Sequence, residues 1–264
     1  MSLKMKQLKD LTLKEKIGQL IVVGFGTKEY DNQINHMVDN YSCGNAILFA
    51  RNYSDPKQMK KLCKDIHENI YKKTGVVPFI AIDQEAGRVN RMPNEIKNLY
   101  SITKFSKLND PEIIKKHSQI ISSMLIAAGI NMNFSPVLDI DNNSQNNVIK
   151  NRCFSSKVNI VKEYGTIYMQ EMQKNNIIPI VKHFPGHGIT KKDSHIFLPY
   201  TLNYHDVLNK HILPFEAAIK NGCDGIMVSH IVIRKMTDGL PASLSKKLIK
   251  EYIRDSYNYD NLII

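Results

Sequence analysis

The densest group of reactive side chains in the sequence lies in residues 181–195, which read VKHFPGHGITKKDSH. This segment carries three histidines, lysines and an aspartate around one proline and two glycines, and it directly follows a short apolar run. Proline and glycine disfavour a regular helix, so we predict a shaped loop that holds polar groups at the end of a strand. Such a loop is a typical place for catalysis.

Within this loop, Asp193 and His195 are separated by one residue. In an irregular loop that spacing lets the carboxylate accept a hydrogen bond from one ring nitrogen, which fixes the tautomer and raises the basicity of the other nitrogen. An isolated Asp-Ser-His would be an ordinary solvated loop. The surrounding histidines and glycines instead favour a proton-transferring histidine.

A metal site is the rival interpretation, because the loop offers four ligands that zinc accepts, namely His183, His187, Asp193 and His195. However, Pro185 and Gly186 separate the first two histidines, so these do not form the pair at positions i and i+4 of a helix that is common in zinc enzymes. We therefore expect no metal and no other cofactor.

The elements that must position this loop alternate between short apolar runs and amphipathic helices. Seven runs are predicted to be strands, at residues 21–25, 45–50, 77–83, 130–139, 177–182, 225–228 and 261–264. Helices are predicted from Leu13, Pro56 and Pro111 and over residues 161–172, 208–220 and 244–252. Strands that are apolar throughout, rather than alternating, indicate a parallel sheet covered by helices.

Two parallel α/β architectures fit this order, an open doubly wound sheet and a (βα)8 TIM-type barrel. Polar residues follow strands three, four, five and six, whereas an open sheet would concentrate them at one switch point. The sequence therefore predicts the barrel. No linker or repeat is visible, so we predict one domain over residues 1–264.

Composition excludes several functional classes. The net charge is +11, with 36 basic and 25 acidic residues, but the lysines are dispersed and no basic tail is present, which argues against nucleic-acid binding. No apolar run has the length of a membrane span. The four cysteines are far apart and the first residues lack a secretion signal, so we expect a cytoplasmic protein with reduced thiols, unless a leader has been removed.

Residues 182–195 resemble the K-H-F-P-G-H-G-x-T-x-x-D-S-H signature of glycoside hydrolase family 3, in its branch of bacterial β-N-acetylglucosaminidases that act on cell-wall fragments. The stretches LTLKEKIGQLIVVGF and AILFARN resemble the first two strands of that family. AIDQEAGRVNRM is similar to its D-Q-E-G-G-R-V-x-R segment, and PVLDIDNNSQNNVIKNRCFS to its P-V-L-D segment. The resemblance runs from about residue 11 to residue 264.

The resemblance implies a role for each matching position. His195 would be the general acid/base with Asp193 as its partner. The pocket for a terminal N-acetylglucosamine would be lined by Asp83, Arg91, Arg152, Lys182 and His183. A carboxylate can accept from sugar hydroxyls, while Arg and Lys donate to their oxygens. For Glu85 and Arg88 we favour an ion pair that braces the loop over substrate contact.

One position, Ala86, departs from the family pattern, and another, His230, has two possible roles. Ala86 stands where the family often has glycine, so we expect a backbone here that does not need positive φ. His230 follows strand six, where it would either border the sugar pocket or be a buried, hydrogen-bonded histidine.

The resemblance implies a retaining mechanism that needs a second, attacking carboxylate. Family members carry that aspartate just after strand seven, where this sequence reads YDNLII, so it is expected beyond Ile264 and the barrel is expected to be truncated near strand seven. Asp139 lies on another strand, and Asp224 and Asp260 precede strands, at the opposite end of the barrel. None of them is expected to be the nucleophile, and the chain alone is expected to be inactive.

The leading hypothesis is retaining hydrolysis of terminal β-linked N-acetylglucosamine from muropeptides or related glycosides. The alternative is an amino-sugar-binding fragment or pseudoenzyme that lacks the nucleophile, and metal-dependent hydrolysis ranks third. The expected partner is a small carbohydrate, with neither nucleic acid nor membrane, and the oligomeric state is left open.

Overall fold

The computed structural model of the chain describes residues 5–92, 99–142, 149–190 and 198–264. The chain divides into two compact units. The first unit comprises Met1–Gln84, Val89–Asn98 and Ile121–Asn133, and the second comprises Glu85–Arg88, Leu99–Ile120 and Phe134–Ile264. The single domain expected from the sequence stays a prediction.

The first unit is built on four parallel strands. These are β1 (Val22–Gly24), β2 (Asn45–Leu48), β3 (Ile80–Ile82) and β4 (Met132–Asn133). They pair in chain order, with Val23 beside Ala46 and Ala46 beside Ile80. All three residues of β3 are buried, as expected for a strand covered on both faces.

Three helices of this unit are α1 (Leu13–Gln19), α2 (Asn32–Tyr41) and α3 (Pro56–Thr74). The ends of α3 follow the sequence signals, because the Asp55 side chain caps its first turn and Gly75 ends it with a φ of 74°. The sequence analysis did not predict α2. Its buried stripe is thin, with only Ile34 and Val38 buried, so the apolar periodicity is weak.

The second unit contains three further parallel strands, β5 (Ile178–Phe184), β7 (Gly225–Val228) and β9 (Leu262–Ile263). Here β7 lies beside both β5 and β9. A separate parallel pair, which the sequence analysis did not predict, is formed by β6 (Tyr200–Thr201) and β8 (Val232–Ile233). These two strands are too short to show a periodic pattern.

Helices of the second unit include α4 (Ile102–Ser106), the first part of α5 (Pro111–Ala128), α6 (Val158–Lys174) and α7 (Leu213–Lys220). Two segments have wider π-helical turns, Val207–His211 and Lys247–Asp255. The predicted helix over 208–220 is therefore a π-helical turn followed by α7. Within the described part of the chain, no helix is both long and apolar enough to cross a membrane.

Strand boundaries differ most from expectation around β4. The prediction of a strand over 130–139 is wrong in its length, because only Met132–Asn133 is regular and the chain then passes through a cis Ser135–Pro136 bond. The four cysteines are all buried and unpaired, as expected from their spacing.

Candidate active site

Two polar residues, Lys182 and His183, lie near the end of β5 and precede the loop that follows this strand. The chain then turns at Gly186, whose φ is 125°, and forms a short 3₁₀ helix, His187–Ile189. A Cβ at Gly188 would lie 2.0 Å from the carbonyl oxygen of Ile140, so the loop packs directly on the segment that follows β4. Only glycine allows this approach.

The two residues of the predicted catalytic dyad, Asp193 and His195, lie outside the described residues. Their mutual geometry therefore stays a prediction. The described part of the motif ends at Thr190, a buried residue whose hydroxyl donates to the carbonyl oxygen of His187 at 3.1 Å.

A buried ion cluster joins the loops after β3 and β4 to strand β5. One carboxylate oxygen of Glu85 lies 2.5 Å from Nζ of Lys182 and 2.7 Å from Nη2 of Arg152, and the other accepts from Nε of Arg152 at 2.7 Å. The exposed fractions of the side chains of Lys182, Glu85 and Arg152 are 2%, 6% and 10%. The bidentate contact fixes the plane of the guanidinium group.

Burial by itself raises the pKa of Glu85, since it penalises the charged form. The charges and hydrogen bonds of Lys182 and Arg152 outweigh this penalty and lower the pKa to about 2. Glu85 is therefore ionised at neutral pH. Glu85 pairs with Arg152 and Lys182, the two cations that were predicted as sugar-binding residues. The expected bracing pair of Glu85 with Arg88 stays a prediction.

A second buried carboxylate, Asp139, organises the beginning of the β5 loop. Its Oδ2 atom lies 2.6 Å from Nδ1 of His183, and its Oδ1 atom accepts from the backbone N–H of His187 at 2.5 Å. Asp139 has no exposed surface. Both oxygens thus face the loop, and this geometry agrees with the expectation that Asp139 is not a nucleophile.

Burial has the largest single effect on the pKa values of Asp139 and His183 in this second cluster. Burial lowers the pKa of His183, although the carboxylate of Asp139 opposes the shift. Burial also opposes ionisation of Asp139, but the facing histidines hold the pKa of that carboxyl below its usual range. At neutral pH we therefore assign a neutral His183 that donates from Nδ1 to Asp139 and keeps Nε2 as an acceptor.

The role of Asp139 as a positioning residue was not predicted from the sequence. The available signal was its place in the P-V-L-D stretch, shortly after β4. A second missed residue is His211, which is fully buried and whose Nε2 lies 2.9 Å from the side-chain nitrogen of Asn142. A Cβ at Gly186 would be 2.6 Å from that of His211, so this histidine supports the turn.

Two of the predicted sugar-binding residues belong to the first unit. Asp83 follows β3 and is half-buried. Arg91 closes the same loop, because its backbone N–H donates to Oε1 of the fully buried Gln84 at 2.8 Å. The Nε atom of Arg91 is buried and has no hydrogen-bond partner in the described structure. A donor in that state suits a ligand that supplies an acceptor.

The alternative of a buried His230 is wrong. His230 is exposed, and its Nδ1 lies 2.7 Å from the hydroxyl of Ser243. The expectation for Ala86 is also wrong, because its φ is 73°, in the left-handed region that favours glycine. The ion pairs of the adjacent Glu85 hold the loop in this conformation. Among the residues whose positions are described, no group of three or more His, Cys, Asp or Glu side chains could hold a metal ion.

Comparison with known proteins identifies the family. The family model described as "Glycosyl hydrolase family 3 N terminal domain" matches residues 12–264. The chain belongs to glycosyl hydrolase family 3. Its motif-based resemblance to that family is thereby confirmed.

Curated relatives in this family are named beta-hexosaminidases. The one from Psychromonas ingrahamii is 34% identical over 242 residues, which cover 89% of this chain and 70% of that protein. The one from Nitrosomonas eutropha is 31% identical over 227 residues, or 83% of this chain and 64% of that protein.

Solved family 3 structures agree with the fold. A family 3 β-N-acetylglucosaminidase from Paenibacillus sp. has a TM-score of 0.92 at 34% identity, covering 96% of this chain and 48% of that one. NagZ from Neisseria gonorrhoeae in complex with N-trifluoroacetyl-D-glucosamine has a TM-score of 0.85 at 25% identity, covering 92% of this chain and 72% of that one. The predicted α/β fold of the TIM-barrel type is confirmed. The chain thus spans about half the length of the Paenibacillus enzyme.

Proposed function

We propose that the protein is a retaining glycoside hydrolase that removes terminal β-linked N-acetylglucosamine from cell-wall muropeptides or related glycosides. The observation that carries this proposal is the similarity to a family 3 β-N-acetylglucosaminidase over 96% of the chain at 34% identity. The beta-hexosaminidase names of the curated relatives support the same amino-sugar chemistry.

In the proposed reaction, His195 protonates the glycosidic oxygen while a carboxylate attacks the anomeric carbon, so that the bond to the leaving group breaks and a glycosyl-enzyme forms. His195 then takes a proton from water, whose oxygen attacks the anomeric carbon and releases the sugar and the carboxylate. Asp193 would hold the imidazole in the required tautomer. The attacking aspartate is expected to be supplied from beyond residue 264.

The sugar would be held by Asp83, Arg91, Arg152, Lys182 and His183. Buried, charge-paired donors such as Arg152 and Lys182 keep a fixed direction, which lowers the entropy lost when a hydroxyl binds. The assigned tautomer of His183 offers Nε2 as an acceptor for a sugar hydroxyl. This pocket requires neither a metal nor a cofactor in the proposed chemistry. The four buried, unpaired cysteines support a cytoplasmic location.

Hydrolysis of a chromogenic β-N-acetylglucosaminide by the protein with the residues that follow Ile264 included tests this proposal. We expect turnover, and we expect His195→Ala to lower kcat by a factor of about 10² to 10⁴ because proton transfer to the leaving group is lost. His67→Ala is the matched control, since His67 is an exposed residue of α3. Absence of turnover, or equal rates for both variants, would contradict the proposal.

Titration with N-acetylglucosamine separates the proposal from its alternative. Binding without turnover would indicate an amino-sugar-binding protein rather than an enzyme. In that case Arg152→Met should abolish binding, because a proposed donor to the sugar is removed, while His195→Ala should leave the affinity almost unchanged.

A further inference from the structure

His211 ends the π-helical segment Val207–His211 and has no exposed surface. It lies between the loop after β5 and the segment that follows β4, all within the second unit. On the first side, a Cβ built at Gly186 would lie 2.6 Å from the Cβ of His211 and 3.3 Å from its Nδ1 atom. The imidazole therefore packs directly against the turn that separates His183 from His187.

On the other side, His211 bonds to Asn142, which lies three residues after Asp139. The side-chain nitrogen of Asn142 lies 2.9 Å from Nε2 of His211, and Nζ of Lys210 donates to the side-chain oxygen of the same amide. The lysine contact fixes the orientation of the amide, because an ammonium group and an amide nitrogen can only donate. Nε2 of His211 is therefore the acceptor, and the proton of the neutral ring is on Nδ1.

A carboxylate competes with Asn142 for the same ring nitrogen. The Oδ2 atom of the partly buried Asp206 lies 3.5 Å from Nε2 of His211. A neutral ring accepts from Asn142 at Nε2, whereas a protonated ring carries a hydrogen there and can only donate. Protonation would therefore set two donors against each other at Asn142 and favour Asp206 as the partner.

The charged groups around His211 act in opposite directions. Asp206 and Lys210 face the ring from its own stretch of chain, and Asp139 acts on it from the segment after β4. The described contact from the loop after β5 is the backbone of Gly186. The two aspartates favour the protonated ring, but burial has the largest effect and lowers the pKa of His211 below its usual value of 6.5. The ring is therefore neutral at pH 7, in the state that holds Asn142.

Both sides of His211 lead to the Asp139 cluster. Asp139 bonds to the ring of His183 and to the backbone N–H of His187. A shift of Asn142 would move the segment that carries Asp139, and a shift of the loop after β5 would move the two partners of that carboxylate. His211 is thus placed to keep His183, a proposed sugar-binding residue, in position.

We propose that His211 is a positioning residue of the sugar site: its neutral ring holds the segment after β4 through Asn142, and its protonation releases Asn142 and weakens sugar binding. This inference rests on the proposed function for the identity of the sugar. It adds a residue, and a proton-dependent step in substrate binding, that the proposed sugar-binding residues do not supply themselves.

The first test measures kcat and KM for a chromogenic β-N-acetylglucosaminide from about pH 5 to 8, with the residues that follow Ile264 included in the protein. In His211→Gln the side-chain oxygen can accept from Asn142 while the nitrogen donates to Asp206, so KM at pH 7 should stay within about threefold of wild type. An amide does not titrate in this range. The ratio of wild-type KM to that of His211→Gln should therefore rise as the pH falls, while the ratio of kcat values stays constant.

A second variant, His211→Phe, keeps a ring against Gly186 but removes the acceptor for Asn142. We expect KM to rise about five- to fiftyfold at pH 7, because a partly buried amide loses its partner, with little change in kcat. The matched control is His67→Gln, on the exposed surface of α3, which should keep the pH dependence of the wild-type protein. A KM ratio of wild type to His211→Gln that is independent of pH, or a wild-type KM in His211→Phe, would overturn the proposal.

A measurement on the ring itself decides independently of turnover. Nitrogen NMR at pH 7 should show the proton of His211 on Nδ1, with the signals assigned by their loss in His211→Gln. Asn142→Ala should move this proton to Nε2, toward Asp206. A proton on Nε2 in the wild-type protein, or an unchanged tautomer in Asn142→Ala, would overturn the role of His211 alone.

Failure of the proposed function has a different signature. If no β-N-acetylglucosaminide is hydrolysed by the wild-type protein, the proposed function fails, and the same variants are compared by calorimetric titration with N-acetylglucosamine. The affinity should then follow the pattern expected for KM. Equal affinities of the wild-type protein and His211→Phe would overturn the proposal.

Discussion

Two buried carboxylates of the second unit, Glu85 and Asp139, differ in the kind of partner that they contact. Glu85 contacts the amino group of Lys182 and the guanidinium group of Arg152. Asp139 contacts an imidazole nitrogen and a backbone N–H, so its side-chain partner is a histidine. The first cluster is therefore an ionic brace, whereas the second sets the protonation state of a histidine. Similar burial thus serves two different purposes.

The largest expected effect follows from Glu85→Gln. This change leaves Lys182 and Arg152 buried without the charge that faces them, and we expect the free energy of unfolding to fall by about 3 to 5 kcal/mol. Urea denaturation measures it. The control is Glu68→Gln, because Glu68 forms an exposed ion pair with Lys64. This change should lower the free energy of unfolding by less than about 0.5 kcal/mol. A similar small cost at both positions would show that Glu85 is not a brace.

Asp139→Asn should lower the free energy of unfolding by less than Glu85→Gln does. The amide keeps one acceptor oxygen but turns donors toward either His183 or the backbone of His187, so we expect a loss of about 2 kcal/mol. Nitrogen NMR of His183 should show the proton moving from Nδ1 to Nε2. Asp238→Asn, in an exposed pair with Lys247, is the control. An unchanged His183 tautomer would contradict the assigned role of Asp139.

The Glu85 cluster and the Asp139–His183 cluster should contribute differently to the pH dependence of the free energy of unfolding. The pKa of Glu85 falls from 4.5 to about 2 on folding, so its contribution is complete above about pH 4.5 and is lost as the pH falls toward 2. The pKa of His183 is lowered from 6.5, so the unfolded chain binds the proton more readily and stability decreases as the pH falls below 6.5.

Unfolding free energies of the wild-type protein, Glu85→Gln and His183→Gln from about pH 5 to 8 test this difference. The gap between wild type and Glu85→Gln should stay constant across that range. The gap between wild type and His183→Gln should narrow on the acid side. A constant gap for both variants would mean that His183 has an ordinary pKa in the folded protein.

The smallest effect concerns the residue next to Glu85. Ala86 has a φ of 73°, so Ala86→Gly should relieve the left-handed strain and raise the free energy of unfolding by up to about 1 kcal/mol. Ala218→Gly, inside α7, should instead lower it by about 1 kcal/mol. A loss of stability for both variants would mean that the strain at position 86 is negligible.

The fold was largely predictable because its strands are short apolar runs and α3 carries clear caps at both ends. The run at 225–228 matches β7, and Asp55 with Pro56 marks the start of α3. The irregular chain after β4 was not predictable, since Phe134, Val137 and Leu138 are buried without belonging to a strand. Apolar periodicity reports burial, and burial does not require regular structure.

The candidate site was predictable in its members but not in their pairings. The polar residues after the strands were visible, yet the partners of Glu85 lie 67 and 97 residues away along the chain. Spacing in sequence carries no information about such contacts. The same holds for His211, whose contact with Gly186 depends on how the π-helical segment Val207–His211 packs against the loop after β5.

The side chain of Gln84 acts as a spacer within the loop that carries Asp83 and Arg91. It accepts from the backbone of Arg91 and donates to Asn90, while its own backbone N–H and C=O both bond to Asn133. Three amide side chains thus link the loop to β4. Moving this loop to another parallel β-sheet would require all three amide side chains, Gln84, Asn90 and Asn133, to be moved together. Replacing any one of them would remove hydrogen bonds on which the other two depend.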